Sequence, residues 1–309
     1  MPAAHVDRPR QVMLVTGGTS GIGLHTAMGL ARLGAAVIVT GRDPERGHQA
    51  VREISSAAAA EGHPGVAQAA FIAADISTRA GVAALAAQVL AEHPRVDVLV
   101  NNAGAAAQSF RPTADGLELD LATNVAAPWH LSAALLPALR SAEAGRIVNL
   151  SGGSEGTALD TAALNVDASL RPLQMYSNSK RAAEAMTLEL ARRLAGTRIT
   201  AVIVYPGQAS TRMTQSVTPE MLDGWMRPLF PLFRRLVADD GGKSAAKASR
   251  SSIWAATDPA LDGVTGRYFN AKCRPGRLHP SVEDPAVQAA VIGLVEGTWG
   301  VASWGPAAG

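Results

Sequence analysis

Gln11 to Thr16 is a short, mostly apolar run, and Gly17-Gly18-Thr19-Ser20-Gly21-Ile22-Gly23 follows it directly. A helical pattern then continues to Leu33, with Gly34 just past it, where a C-terminal cap favours glycine. This order of buried strand, glycine turn and helix restricts the fold more than any other stretch. Glycines permit a tight turn and close backbone approach, and the helix N-terminus offers unpaired N–H groups and partial positive charge to a pyrophosphate. The spacing is Gly-x-x-x-Gly-x-Gly (17, 21, 23), not the commoner Gly-x-Gly-x-x-Gly.

The same alternation continues down the chain. Strands are predicted at 36–39, 71–73, 97–100, 146–150 and 199–205, with a short seventh at 268–269. Helical patterns fall between them at 44–60 and 78–92, over 117–140 with Pro128 and Pro137 as bends or starts, and from Tyr176 onward. Repeated βα units imply an α/β fold with a parallel sheet. No linker marks a second domain, so one domain is expected. The residues are 47% hydrophobic, which suits a large core. Lys and Arg number 28 against 26 Asp and Glu, a balance with no electrostatic footprint for nucleic acid. No run approaches the apolar length of a membrane span, and Met1 to Arg10 has no signal-peptide core. The single cysteine, Cys273, fits a reducing compartment, and the seven histidines show no paired ligand spacing. A cytoplasmic protein without a metal site is expected.

Tyr176-Ser177-Asn178-Ser179-Lys180 carries the chemistry. Residues four apart on a helix share a face, so the Tyr176 hydroxyl and the Lys180 ammonium can point into one cleft. A free tyrosine has a pKa of about 10, and a nearby ammonium favours its phenolate. Such a pair can trade a proton with a carbonyl or alcohol oxygen. At the end of the second strand, where such folds read the adenosine ribose, stand Gly41, Arg42 and Asp43. Arg42 suits the 2′-phosphate of NADP, and Asp43 either orients it or itself reaches a ribose, as in NAD binding. NADP is favoured, with NAD the alternative.

With Thr16 to Gly23, Asn101-Asn102-Ala103-Gly104 and Tyr176-x-x-x-Lys180 in this order, residues 11–270 resemble the short-chain dehydrogenase/reductase family. The resemblance implies a Rossmann-type, doubly wound parallel sheet of about seven strands with helices on both faces. It also implies hydride transfer between a nicotinamide and a carbonyl or alcohol. Carried over by position, Gly17, Thr19, Ser20, Gly21, Ile22 and Gly23 hold the cofactor, Asp75 and Ile76 lie near the adenine, and Asn101, Asn102, Ala103 and Gly104 line its cleft. Asn124 helps hold a water, Tyr176 is the general acid/base, and Lys180 binds the nicotinamide ribose. Pro206, Gly207 and Thr211 match the segment beside the carboxamide. The family is commonly dimeric or tetrameric, so a homodimer or homotetramer is expected.

One position departs from the pattern. The family ends its fifth strand with two serines, the second holding the substrate oxygen, whereas this chain has Ser151-Gly152. Ser151 is taken as the catalytic serine, with Ser154 as a substitute. The long gap before Tyr176 resembles the branch containing the retinol dehydrogenases and the WW-domain oxidoreductase. Residues 208–240 are expected to cover the substrate, with Met221, Leu222, Trp225, Met226, Leu229, Phe230, Phe233 and Leu236 forming an apolar wall. Packing alone, or contact with a membrane surface through Arg227, Arg234 and Arg235, are other uses of that segment. Residues 1–10 and 271–309 are read as extensions. The expectation is NADP(H)-dependent reduction of a lipophilic aldehyde or ketone. Its rivals are a cofactor-binding protein without turnover and an epimerase or dehydratase.

Overall fold

Strands that are apolar on both faces need helices on both faces, and the sheet is built that way. The computed structural model describes residues 10–62, 69–153, 158–166, 171–215, 217–221, 224–236, 238 and 240–304. Seven strands, β1 (Val12–Thr16), β2 (Ala36–Gly41), β3 (Ala69–Ala73), β4 (Val98–Asn101), β5 (Arg146–Leu150), β6 (Thr200–Val204) and β7 (Arg267–Phe269), form one sheet in the order β3-β2-β1-β4-β5-β6-β7. Every pairing is parallel. The register sets Thr16 beside Thr40 and Asn101 beside Asn149, so the carboxyl ends lie level. The chain runs outward from β1 to β3 and returns to β4 on the other side of β1. Ligands of open α/β sheets bind at such a reversal, outside the carboxyl ends.

In chain order the helices are α1 (Gly21–Arg32), α2 (Pro44–Ala60), α3 (Arg79–Glu92), α4 (Leu119–Leu121), a π turn (Ala122–Ala126), α5 (Ala127–Ala134) and α6 (Leu136–Arg140). They continue with α7 (Pro172–Arg193), α8 (Arg212–Gln215), α9 (Phe230–Leu236), α10 (Lys243–Thr257), α11 (Pro280–Glu283) and α12 (Pro285–Trp299). Alternate strand residues feed two cores. Leu14, Ile38, Leu99 and Ile147 pack with α3, α5, α7 and α12, whereas Val15, Val37, Val100 and Val148 pack with α1, α2 and α10. Pro128 and Pro137 stand in the first turns of α5 and α6, as expected of them. The helix of Tyr176 starts a turn earlier than its apolar pattern suggests, at Pro172, where Gln174 Oε1 accepts the Arg171 N–H (3.2 Å).

The C-terminal segment is part of the same core. Asp284 caps α12 through the Ala286 N–H, and Val291, Ile292, Val295 and Trp299 are buried against the α7 side. Trp304 meets Trp129 of α5 edge-on at 4.4 Å between ring centroids, and the Arg193 guanidinium lies 4.7 Å from the Trp129 ring. Trp129 Nε1 donates to Glu296 Oε1 (3.0 Å), which ties α5 to α12. No helix among the described residues is long and apolar enough to cross a membrane. Trp129→Ala is expected to lower unfolding free energy by about 3–5 kcal/mol, the cost of emptying a large aromatic site. Urea denaturation checks this, and a loss under about 1 kcal/mol would mean the tail is not seated there.

Candidate active site

The turn after β1 is built for close approach. Gly17 (φ 64°) and Gly21 (φ 56°) adopt the left-handed backbone that favours glycine. A Cβ on Gly23 would lie 2.4 Å from Gly17 O and 2.3 Å from Asn102 Nδ2, so only glycine lets α1 begin here. Asn102 Nδ2 donates to Thr16 O (2.8 Å) and Gly17 O (3.2 Å), while the Asn102 and Ala103 N–H groups donate to Thr16 Oγ1 (both 3.1 Å). The Asn101 to Gly104 segment therefore splints the glycine turn. Asn101 itself points sideways to Asn149 Oδ1 (2.7 Å). The Ser20 side chain makes no cap bond, and no acid occupies the first turn of α1. The first-turn N–H groups are thus offered to an anion, as a pyrophosphate cradle requires.

Arg42 is exposed at the end of β2, with no ion pair among the described residues. Asp43 is committed elsewhere. It caps α2 through Glu45 N–H (3.1 Å) and Arg46 N–H (3.3 Å) and pairs with Arg46 (3.0 Å). Thr19 packs on Gly41, where a Cβ would lie 2.9 Å from its Oγ1. Asp75 closes its own turn, accepting from Ser77 N–H (3.1 Å) and Oγ (2.7 Å), and Ile76 packs on the core. At the far end of the cleft, Pro206 and Gly207 leave β6, and Thr211 returns to the glycine turn. A Cβ on Gly21 would lie 3.4 Å from Thr211 Cγ2.

Tyr176 and Lys180 share the α7 stripe that faces β5. Lys180 is buried and donates to Leu150 O (2.7 Å). Burial pulls its pKa down to about 8 against the opposing charges of Glu184 and Asp120. Tyr176 departs from the sequence expectation of a lowered pKa. Burial, then Asp120 and Tyr205, push it up to about 12, so the phenol stays protonated at neutral pH. Asn124 lies in the π turn. Its Oδ1 accepts from Ala105 N–H (2.9 Å), and its Nδ2 donates to Ala105 O (3.0 Å) and Ser179 Oγ (2.8 Å).

Ser151 and Gly152 have different surroundings. Ser151 Oγ donates to Glu184 Oε1 and accepts from Gly153 N–H (3.0 Å). The backbone that lies against the phenol belongs to Gly152, where a Cβ would sit 3.4 Å from Tyr176 Oη and 2.9 Å from Lys180 Cγ. Ser154 lies outside the described residues. Of the expected apolar wall, Met221 is buried, Phe230 is half-buried and Leu229 is exposed, while the side chains of Leu222, Trp225, Met226, Phe233 and Leu236 lie outside the description.

Three acidic residues near the site escaped the sequence reading. Glu184 follows Lys180 by four residues, so the spacing that joins Tyr176 to Lys180 also points to it. Asp120 precedes Asn124 by four, and Glu118 caps α4; both are buried.

The residues 11–222 match the family model described as short chain dehydrogenase. The chain is 34% identical over 285 residues to human retinol dehydrogenase 14, covering 90% of this chain and 82% of that one. It superposes on an uncharacterised protein from Mycobacterium paratuberculosis with a TM-score of 0.71 and 26% identity, over 95% and 96% of the two chains. A short chain dehydrogenase from Shigella flexneri, solved with NADP, gives a TM-score of 0.62 at 26% identity, over 85% and 97%.

Burial raises Glu118 to about 7 and Asp120 to about 6. A carboxyl whose folded pKa is raised contributes stability in full below its unfolded value and loses it as pH rises through the folded one. Stability, and with it the melting temperature, is therefore expected to fall between about pH 4 and 7, by up to about 3 kcal/mol for each carboxyl. Asp120→Asn should flatten the fall; calorimetry across that range checks both.

Proposed function

This chain belongs to the short chain dehydrogenase family, and from that premise we propose that it reduces a lipophilic aldehyde or ketone with NADP(H). The observation that carries the reading is the convergence of the glycine turn, Asn124 and the Tyr176–Lys180 stripe at one sheet reversal. The cradle at Gly17 and Gly23, which a Cβ would fill, fits a dinucleotide pyrophosphate. Arg42, with Asp43 engaged as a helix cap, supports the 2′-phosphate of NADP over the bare ribose of NAD. The Shigella relative was solved with NADP, which supports the same choice.

Bound cofactor supplies a hydride to the carbonyl carbon. Tyr176, protonated at neutral pH, gives its hydroxyl proton to the carbonyl oxygen. Lys180 would hold the nicotinamide ribose and, with Asn124, return a proton from solvent to the Tyr176 phenolate left after the transfer. Pro206, Gly207 and Thr211 form the wall at the nicotinamide end, and Asp75 and Ile76 the wall at the adenine end. Exposed Leu229 and Leu232 in residues 208–240 offer apolar cover for the substrate, and the name of the retinol relative points to the same substrate class. The single Cys273 fits the cytoplasm, and a homodimer or homotetramer is the family's usual assembly.

A second reading has its own observation. Glycine, with no hydroxyl, lies against the Tyr176 oxygen, and the Ser151 hydroxyl is engaged by Glu184. A protein of this kind binds NADP(H) with weak or no turnover. An oxyanion donor typically contributes about 100-fold or more to kcat. Ser151→Ala is expected to change kcat less than about threefold if Ser151 only anchors Glu184, and about 100-fold if it serves the substrate.

NADPH and NADH oxidation with retinal, medium-chain aldehydes, aromatic ketones and quinones tests the function. Turnover favouring NADPH is expected, abolished in Tyr176→Phe, with Arg42→Ala weakening NADPH binding about tenfold or more and leaving NADH unaffected. Tight NADPH binding without turnover on any carbonyl would establish the second reading instead.

A further inference from the structure

One wall of the catalytic cleft buries two carboxyl groups that the reaction above does not use. Asp120 is fully buried and Glu118 is 5% exposed. Each has one oxygen satisfied. Glu118 Oε2 accepts from the N–H groups of Asp120 (2.8 Å) and Leu121 (3.2 Å), and Asp120 Oδ1 accepts from Ala107 N–H (2.8 Å). Glu118 Oε1 and Asp120 Oδ2 have no hydrogen-bond partner among the described residues. A buried, unmatched carboxylate is costly, whereas a protonated carboxyl is not, so two orphan oxygens in one place favour protons on them.

We propose that Asp120, backed by Glu118, is a positioning residue for the Tyr176–Lys180 pair, standing beside it as an uncharged acid and opposing the phenolate when it ionises. The inference rests on the reading of Tyr176 as general acid/base. Protonated Asp120 still accepts from Ala107 N–H while Asn124 grips Ala105 from both sides, so the loop over the cleft is anchored without a charge. The groups that face the pair are few among the described residues. Glu118 shares the element of Asp120, Tyr176 and Lys180 face it from α7, and the π turn contributes no ionisable side chain. Asn165, from the loop before α7, accepts the Glu118 N–H (2.7 Å). Glu184 acts on Lys180 and Tyr205 on Tyr176 beside Asp120.

Burial raises both carboxyls, with Asp120 adding to Glu118 and Lys180 partly opposing the rise in Asp120. Ionised Asp120 in turn raises Tyr176 and Lys180. The effect depends on direction. Carbonyl reduction uses the neutral phenol and tolerates the charge; alcohol oxidation needs the phenolate and is opposed by it.

Infrared spectroscopy of the wild-type protein reads the acid directly. A protonated-carboxyl band is expected to titrate at about pH 6 to 7, well above the exposed carboxylates near 4, and to shrink in Asp120→Asn and Glu118→Gln. No carboxyl titrating above about pH 5.5 would overturn the proposal, and this arm needs no substrate. The second arm is the pH profile of kcat/KM for alcohol oxidation. Asp120→Asn is expected to move the limb reporting Tyr176 down by about one pH unit, with the cofactor KM unchanged. If no alcohol is oxidised, Tyr176 phenolate absorbance taken against Tyr176→Phe replaces the rate, and the same shift is required. Equal loss at every pH with the limb unmoved means a structural role only and overturns the proposal. A titrating band with shifted phenolate but no turnover would instead defeat the enzymatic reading.

Discussion

A buried ammonium is the constraint on which the rest of the site depends. Lys180 lies in the interior, where an isolated charge is strongly disfavoured, and three features keep it there. Leu150 O accepts its hydrogen bond at 2.7 Å at the very end of β5. Glu184, one turn further along α7, supplies opposing charge, and Asp120 from α4 adds to it once ionised. Gly152 leaves the room, since a Cβ there would meet Lys180 Cγ at 2.9 Å. The missing serine side chain and the buried lysine are thus two aspects of one packing arrangement.

Topology then brings the other parts to that lysine. Because all seven strands are parallel, the glycine turn, Asn101 to Gly104, Ser151 and Pro206 all emerge at the same edge of the sheet. The π turn rotates Asn124 into the loop at Ala105 and toward Ser179, so α7 and the end of β4 are joined through one amide. On the far face, α12 and Trp304 close over α5 and α7 and hold the helix of Tyr176 from behind. None of these contacts is with a substrate, yet each restricts where Tyr176 can point.

Much of this was legible in the residues because it follows from local rules. Glycines with positive φ, a strand ending at Thr16 and a four-residue helical repeat are properties of short segments, and they point to the turn at Gly17 to Gly23 and to the shared helical face of Tyr176 and Lys180. Asp43 illustrates the limit. Beside Arg42 it reads as a partner for that arginine or as a ribose ligand, and its hydrogen bonds from the Glu45 and Arg46 N–H groups show it to be a cap. Glu118 and Asp120 were beyond reach for a different reason. Their burial depends on a distant loop, where Asn165 meets the Glu118 N–H, and on Ala107 folding back across α4. The expected lowering of the Tyr176 pKa failed on the same account, since charge spacing is local and desolvation is not.

The most direct test of the account is a crystal structure of the protein with NADPH. The account expects the pyrophosphate at the Gly17 to Gly23 turn, the 2′-phosphate against Arg42, and Lys180 released from Leu150 O to the nicotinamide ribose. Cofactor bound elsewhere, or a ribose left unheld while Lys180 keeps its bond to Leu150 O, would contradict it.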